Sequence, residues 1–290
     1  MQDQVLGVSS ASPSQPVAIP GDLALSFSTQ RVPSSVAFAI LFNEALSPAA
    51  IEHLYQVTES FAADLSRSEV FTNNTGGRAI FRSSPAPVRR GDELFCLNSP
   101  FARRLEAHDN VLVFSIHEFD NLDGALEDAK RYLELALAAL AQGPQPNILV
   151  ANVAMNIDDR ILQPLPVPGE FSIEGLLAVD SPFPSGFIRT LGNPIWSFAH
   201  SWFGVGLDDA SQINHQLAVE NIQVGQALLL TVSHRQRFFY PEQMMRPGPL
   251  SLSRSGRSEL DLVFDRLGQS NGVIAQAILL PEYRRSVVSQ

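Results

Sequence analysis

The stretch QLAVENIQVGQALLLTVSH, residues 216–234, contains two apolar runs separated by a turn glycine, Gly225. Short runs of β-branched and aromatic residues between Pro, Gly and Asn recur along the chain and predict antiparallel sheets. From about residue 147 onward the pattern predicts no helix. The predicted strands cover residues 23–28, 35–42, 93–98, 110–117, 147–155, 171–179, 194–203, 216–224, 226–234, 259–265 and 273–280.

Two segments instead repeat their apolar residues every three or four positions, as an amphipathic helix does. In the first, Ser47 is placed to cap the helix and Pro48 takes the first helical position. In the second, Asn121 or Asp120 caps a stripe of leucine and alanine that ends at Gly143. Both segments predict helices that pack one face on a core.

The predicted fold class is mainly β (β-rich α+β), an antiparallel β-sandwich or jelly-roll barrel with two amphipathic helices in its connections. Residues 110–155 have the order strand, helix, strand, which is compatible with a single parallel crossover. We expect an extended N-terminal arm at residues 1–22 and a single domain at residues 23–290. That domain has helix-bearing insertions at about residues 47–66 and 121–142, and two smaller packed sandwiches are the alternative.

The composition limits the partners of the chain. Only 17% of the 290 residues are charged, and the formal net charge is −10. A negative chain is a poor match for sequence-independent binding to nucleic acid or anionic lipid, because both depend on clustered positive charge. No apolar run reaches about eighteen residues and the start does not resemble a signal peptide, so we expect neither a membrane span nor secretion by that route.

The first thirty residues contain two acids, Asp3 and Asp22, and no Lys or Arg. Residues 2–16 are mostly Ser, Gln, Pro and small residues. This segment contains too few apolar side chains to build a core. We therefore expect this arm to contact neighbouring protein subunits and not nucleic acid. The predicted interface residues are Gln2, Gln4, Val5, Leu6 and Val8 in the arm, with the aromatic run Phe238, Phe239 and Tyr240 as a second contact.

Motifs for catalysis and metal binding are sparse. No two of the six histidines lie within five residues of each other, so the familiar zinc and metalloprotease spacings are missing. The weak local candidate is His117 with Asp120 at a predicted strand end, joined by His200 or His234 as a distant ligand. No nucleophile turn or phosphate loop occurs, and we expect no cofactor, no metal and no enzymatic activity.

These features predict a structural subunit of a large protein assembly, most specifically a viral coat protein of jelly-roll type. Its partners would be copies of itself and other shell proteins, and its location the virion, or the cytoplasm if the chain is not viral. One alternative is an enzyme or small-ligand-binding β-barrel with a site near His117, His200 and His234. Another is a carbohydrate-binding sandwich that exposes Trp196, Trp202 or Tyr240.

Overall fold

The computed structural model of the chain describes part of its length, with nine strands and three helices in that part. The described residues are 30–61, 64–65, 67–73, 76–83, 103–117, 119, 121–166, 177, 194–207, 211–240, 258–279 and 281. The strands are β1 (Gln30–Phe42), β2 (Arg67–Asn73), β3 (Gly76–Arg82), β4 (Arg103–His108), β5 (Val111–His117), β6 (Val150–Pro164), β7 (Trp196–Val205), β8 (Gln212–Val224) and β9 (Ala227–Phe239). The helices are α1 (Pro48–Phe61), α2 (Leu122–Gln142) and α3 (Glu259–Ile278).

The nine strands form one sheet in the order β2-β3-β4-β5-β1-β6-β9-β8-β7, and every neighbouring pair is antiparallel. Helices α1 and α2 lie in the β1–β2 and β5–β6 connections. This confirms the predicted class, mainly β with antiparallel pairing and two helices in connections, and is consistent with a sandwich or barrel-like β-rich α+β fold. Within the described ranges the strands make a single sheet with helices packed on it.

Strands β5 and β6 lie on either side of β1 and are both antiparallel to it, so they run parallel to each other. Helix α2 connects them, which gives the predicted strand–helix–strand unit a parallel crossover. The crossover differs from a simple one because β1 occupies the place between the two parallel strands.

The two predicted helices begin at the caps that the sequence indicated. The Ser47 hydroxyl accepts a hydrogen bond from the Ala50 amide at 3.2 Å. The Asn121 side chain accepts one from the Gly124 amide at 2.6 Å. Each cap satisfies a backbone donor that has no partner inside the helix, which favours helix formation at that residue.

The third helix corrects two strand predictions and the expectation of no helix after residue 147. Residues 259–265 and 273–280, predicted as strands, fall in α3 or at its end. The Ser258 hydroxyl accepts from the Asp261 amide at 3.0 Å and caps the helix. The buried residues of its first half recur at helical spacing: Leu260, Val263, Phe264 and Leu267.

Three strands were missed by the sequence prediction: β2, β3 and β4. Their charged residues interrupt the alternation of apolar and polar residues that predicts a strand. Several of these charges form ion pairs between neighbouring strands. Arg78 on β3 and Arg104 on β4 both form ion pairs with Glu106 on β4. The predicted strands at 23–28 and 93–98, most of 171–179, and the predicted arm at 1–22 lie outside the described residues.

Side chains alternate between two faces of the sheet. The helix-covered face carries the main core, in which α1 packs on β2 and β3, α2 on β5 and β1, and α3 on β6 and β9. We call the opposite side the open face, since none of the described helices packs on it. At its centre it carries small and polar residues of β1, β6, β8 and β9 that are partly or fully exposed: Ala37, Ala39, Ala154, Asn156, Asn214, Gln216, Arg235 and Arg237.

None of the described helices is long and apolar enough to cross a membrane.

Candidate functional site

Strand β9 presents different polar groups to the two faces of the sheet. His234 and Gln236 point to the helix-covered face and are 2% and 1% exposed. Arg235 and Arg237 alternate with them and are exposed on the open face. The same strand therefore contributes to a buried polar cluster on one side and to a basic surface on the other.

The buried cluster centres on two histidines that hydrogen-bond to each other. His234 Nδ1 lies 3.0 Å from Asn271 Oδ1 on α3, and because an amide oxygen only accepts, Nδ1 carries the hydrogen. His234 Nε2 is then an acceptor for the His215 Nδ1 hydrogen at 3.2 Å. We call His215 and His234 the imidazole pair; it links β8, β9 and α3 in one chain of hydrogen bonds.

Trp202 on β7 stacks against the imidazole pair. Its ring lies nearly parallel to that of His215, with centroids 4.9 Å apart and an interplanar angle of 9°. His200, two residues before Trp202 on β7, stacks on that ring with centroids 5.7 Å apart. The structure thus brings two sequence candidates, His200 and His234, into one cluster and adds His215 and Asn271.

Sequence reasoning missed His215 because the chain separates it from the other histidines. The available signal was its position in β8, where Ile213, His215 and Leu217 alternate onto the buried face. Asn271 carried no such signal, because the helix that presents it was not predicted.

Burial determines the charge state of the imidazole pair. Burial lowers the pKa of His234 to about 4, with the hydrogen bond to Asn271 opposing the shift and nearby His215 adding to it. The pKa of His215 is lowered by burial and by the charge of Arg266 on α3. Both rings are therefore neutral near pH 7.

The imidazole pair is badly placed for acid–base chemistry on a bound molecule. Both nitrogens of His234 are engaged by protein groups. His215 Nε2 lies against the β7 backbone, where a Cβ at Gly204 would approach it to 2.8 Å. We interpret the cluster as a polar tie between α3 and the sheet.

The predicted grouping of His117 with His200 and His234 does not form. His117 is on the open face of β5, where burial and then the charges of Arg160 and Arg104 lower its pKa, with Asp158 opposing the shift. The alternation of β5 places Phe114 and Ile116 in the core and so turns His117 to the other side of the sheet from His234. Asp120 lies outside the described residues, which contain no group of three His, Cys, Asp or Glu placed to hold a metal ion.

A groove of about 230 Å³ lies on the open face across β1, β6, β9 and β8. Arg235 sits between Gln216 and Asn156 in the register, and Arg237 sits between Asn214 and Ala154. A neighbouring groove of about 460 Å³, over β7, β8 and β9, shares Gln216 and Arg235 with it. The lining of the first groove comprises Ala37, Ala39, Ala154, Asn156, Asn214, Gln216, Arg235, Arg237 and Phe239 with parts of Met155 and Gln236.

The two arginines of this groove have no carboxylate partner in the part of the chain that the structure describes. Within the described part of the chain, neither Arg235 nor Arg237 forms an ion pair, whereas Arg78 and Arg104 both pair with Glu106. The side-chain oxygen of Asn156, at the groove, is buried without a hydrogen-bond partner. As far as the described residues show, the groove therefore presents two guanidinium groups without a carboxylate partner, next to a buried acceptor without a donor.

The predicted aromatic interface is largely buried, which corrects that prediction. Phe238 and Tyr240 are 2% and 6% exposed and pack edge to face with centroids 5.0 Å apart. Phe239 alone of the three reaches the surface, on the open face. The carbohydrate-binding alternative needs exposed aromatic rings, but two of its three candidates, Trp196 and Tyr240, are buried. The predicted arm contacts, residues 2–8, lie outside the described residues.

Strand β7 forms one edge of the sheet and pairs with β8 alone among the described strands. Its ten residues, WSFAHSWFGV, include no Lys, Arg, Asp, Glu or Pro. Phe203 and Val205 near its end are 66% and 62% exposed. The strand at the other edge, β2, is shorter and carries the exposed charge of Glu69.

The chain matches no known protein-family model, and it has no detectable relative among curated proteins. Its function is therefore inferred from the geometry of the sheet and of these sites.

Proposed function

We propose that this protein is a structural subunit of a large protein assembly and that copies join through strand β7. The observation that carries the proposal is the uncharged ten-residue edge of the sheet, with Phe203 and Val205 exposed beside it. A sheet edge offers unpaired backbone N–H and C=O groups to a strand of another chain. Proteins that avoid such pairing usually place Lys, Pro or inward charges on the edge, and β7 has none of these.

The charge distribution supports contact at this edge. Each chain carries a formal net charge of −10, so most approaches of two copies are opposed by repulsion. The ionisable side chain of β7 is His200 alone. Two copies that meet along β7 therefore bring together strands whose own side chains are neutral, with Arg266 of α3 as the nearby charge at the Val205 carbonyl.

A two-fold axis beside β7 would make the contact self-complementary. Two antiparallel copies of the strand then pair with each other and extend the sheet from nine strands to eighteen. Residues near Ser201 lie opposite themselves in this arrangement, and Phe203 and Val205 gain cross-strand neighbours. Such pairing leaves the groove on the open face accessible.

A viral coat is the specific assembly that the sequence favours. The low fraction of charged residues and the neutral-to-acidic segment at residues 1–22 support this form of the proposal. The segment would contact copies of the chain or other shell proteins.

The test combines light scattering with negative-stain electron microscopy of the purified full chain. We expect oligomers in the wild type and loss of them in Ser201→Lys, which places a charge opposite itself at the two-fold axis. Thr72→Lys is the matched control, because Thr72 is an exposed polar residue on the opposite edge strand β2. It should leave the oligomer intact.

Two outcomes would count against the proposal. A wild-type monomer at every concentration tested contradicts assembly, and equal behaviour of the two lysine variants contradicts contact through β7. Closed shells of uniform diameter support the coat form, whereas a dimer that grows no further overturns it while retaining the β7 contact.

A further inference from the structure

We infer that the groove on the open face binds a small organic dianion that also carries a hydroxyl group, either a dicarboxylate or a phosphate monoester. The groove is the one of about 230 Å³ at Arg235 and Arg237. The inference is independent of the β7 contact, because the groove lies on a face of the sheet and the proposed contact lies at its edge.

The two guanidinium groups select for negative charge. Arg235 and Arg237 are exposed, lie on the same face of β9, and have no carboxylate partner among the described residues. Residues two apart on a strand are separated by roughly 6 to 7 Å. Arginine offers a planar fork of donors that matches carboxylate and phosphate oxygens. Two such forks at this spacing suit either two carboxylates at the ends of one molecule or a single phosphate whose oxygens face both forks.

Small residues make room for the ligand between the arginines and β1. Ala37, Ala39 and Ala154 line the groove where larger side chains would fill it. The space corresponds to about seven or eight water molecules at ~30 Å³ each, which is the size of a small metabolite.

Amide side chains supply the remaining contacts. Asn214 and Gln216 flank the arginines on β8, and Asn156 flanks Arg235 on β6. The oxygen of Asn156 is buried and lacks a donor, which is costly unless a bound group provides one. A hydroxyl on the ligand would donate to this oxygen while the arginines hold the carboxylate or phosphate oxygens.

The test is isothermal titration of the full chain with malate, succinate, glycerol 3-phosphate, inorganic phosphate and acetate. Malate and glycerol 3-phosphate represent the two sources of the dianion, and succinate lacks the hydroxyl. We expect saturable binding of malate, of glycerol 3-phosphate or of both. Acetate should bind at least about tenfold more weakly. The matching probe without the extra hydroxyl-bearing part, succinate or inorganic phosphate, should have an intermediate affinity. Whichever of malate and glycerol 3-phosphate binds more tightly identifies the class.

Matched arginine variants locate the site. Arg235→Gln and Arg237→Gln should each weaken binding by about tenfold, because each removes one charge-assisted contact. Arg131→Gln is the control, since Arg131 is exposed on helix α2. Asn156→Ala should remove the preference for the hydroxylated ligand and leave succinate binding unchanged. Circular dichroism confirms that each variant is folded.

The inference is overturned if no dianion binds saturably, if acetate binds as tightly as malate and glycerol 3-phosphate, or if Arg131→Gln weakens binding as much as Arg235→Gln. None of these three results bears on the oligomeric state, so failure of the groove and failure of the β7 contact are distinguishable.

Discussion

His215 donates a hydrogen bond from Nδ1 to Nε2 of His234 at 3.2 Å, and His234 donates in turn to Asn271 at 3.0 Å. The chain of donors runs in one direction, from β8 through β9 to α3. If His234 Nε2 gained a proton, it could no longer accept a hydrogen bond. Its N–H would then face the N–H of His215 Nδ1. The hydrogen bond from His215 to His234 therefore requires a neutral His234, whereas the bond from His234 Nδ1 to Asn271 on α3 is compatible with either charge state.

This relationship predicts a loss of stability in mild acid. The pKa of His234 falls from its ordinary value of 6.5 to about 4 in the folded chain. Between these values the unfolded state binds the proton more readily, so the free energy of unfolding falls as the pH drops. The stabilisation is complete above pH 6.5 and has declined by about 3 kcal/mol once the pH reaches about 4, and His215 acts in the same direction.

Urea unfolding at several pH values between 7 and 4 measures this effect. His234→Gln should flatten the dependence, and His108→Gln, at a partly exposed histidine on β4 outside the cluster, is the comparison for removal of a histidine elsewhere. An identical acid dependence in wild type and His234→Gln would show that the imidazole pair is not its source.

Gly204 is predicted to be intolerant of a side chain. A Cβ there would lie 2.8 Å from His215 Nε2, and the His215 ring cannot retreat because it stacks on Trp202 and bonds to His234. Gly204→Ala should reduce the free energy of unfolding by about 1 to 3 kcal/mol. Gly272→Ala is the matched control: nothing lies within 4 Å of its Cβ position on α3, and alanine there should stabilise by up to about 1 kcal/mol. Chemical denaturation tests both signs, and a neutral Gly204→Ala would contradict the close packing.

Lys130, the single lysine of the chain, is predicted to hold α3 against α2. Its ammonium lies 3.1 Å from an Asp261 oxygen and 3.0 Å from an Asp265 oxygen. Burial alone would lower the pKa of Lys130, but the hydrogen bonds to Asp265 and Asp261 outweigh burial and raise it. The lysine is therefore charged, and its removal leaves two carboxylates facing each other.

Lys130→Met should destabilise the chain by about 1 to 2 kcal/mol, a value reduced because the aspartates are partly exposed to water. Adding Asp265→Asn to Lys130→Met should recover part of the loss by removing one uncompensated charge. Arg131→Met serves as the control on the same helix. Thermal unfolding gives the comparison, and a loss in Arg131→Met as large as that in Lys130→Met would contradict the assigned role.

Helices α1 and α2 were predictable because their signals are local. A cap such as Asn121 and an apolar period lie within the segment that folds. Helix α3 was missed because glycines at 268 and 272 interrupt its stripe and leave two short apolar runs that resemble strands. Packing against α2 and β6 overrides these weak propensities.

Strands β3 and β4 were missed for a different reason. In the linear sequence Arg78 appears as an isolated surface charge, and only the pairing of β3 with β4 brings it to Glu106. Arg104, two residues before Glu106 on the same strand, shares that partner. An ion pair between two strands cannot be recognised from the sequence of either strand alone.

The sequence by itself determined the antiparallel class, two helices with their caps, and the alternation of faces along the strand predicted at residues 226–234. These properties follow from the backbone period of two and from short-range hydrogen bonds. Only the tertiary structure decided that His215, His234 and Asn271 meet, and that Arg235 and Arg237 share a groove with residues of β1 and β6. Such neighbours are separated by long stretches of chain, so strand register and helix docking bring them together, and neither is encoded in any single segment.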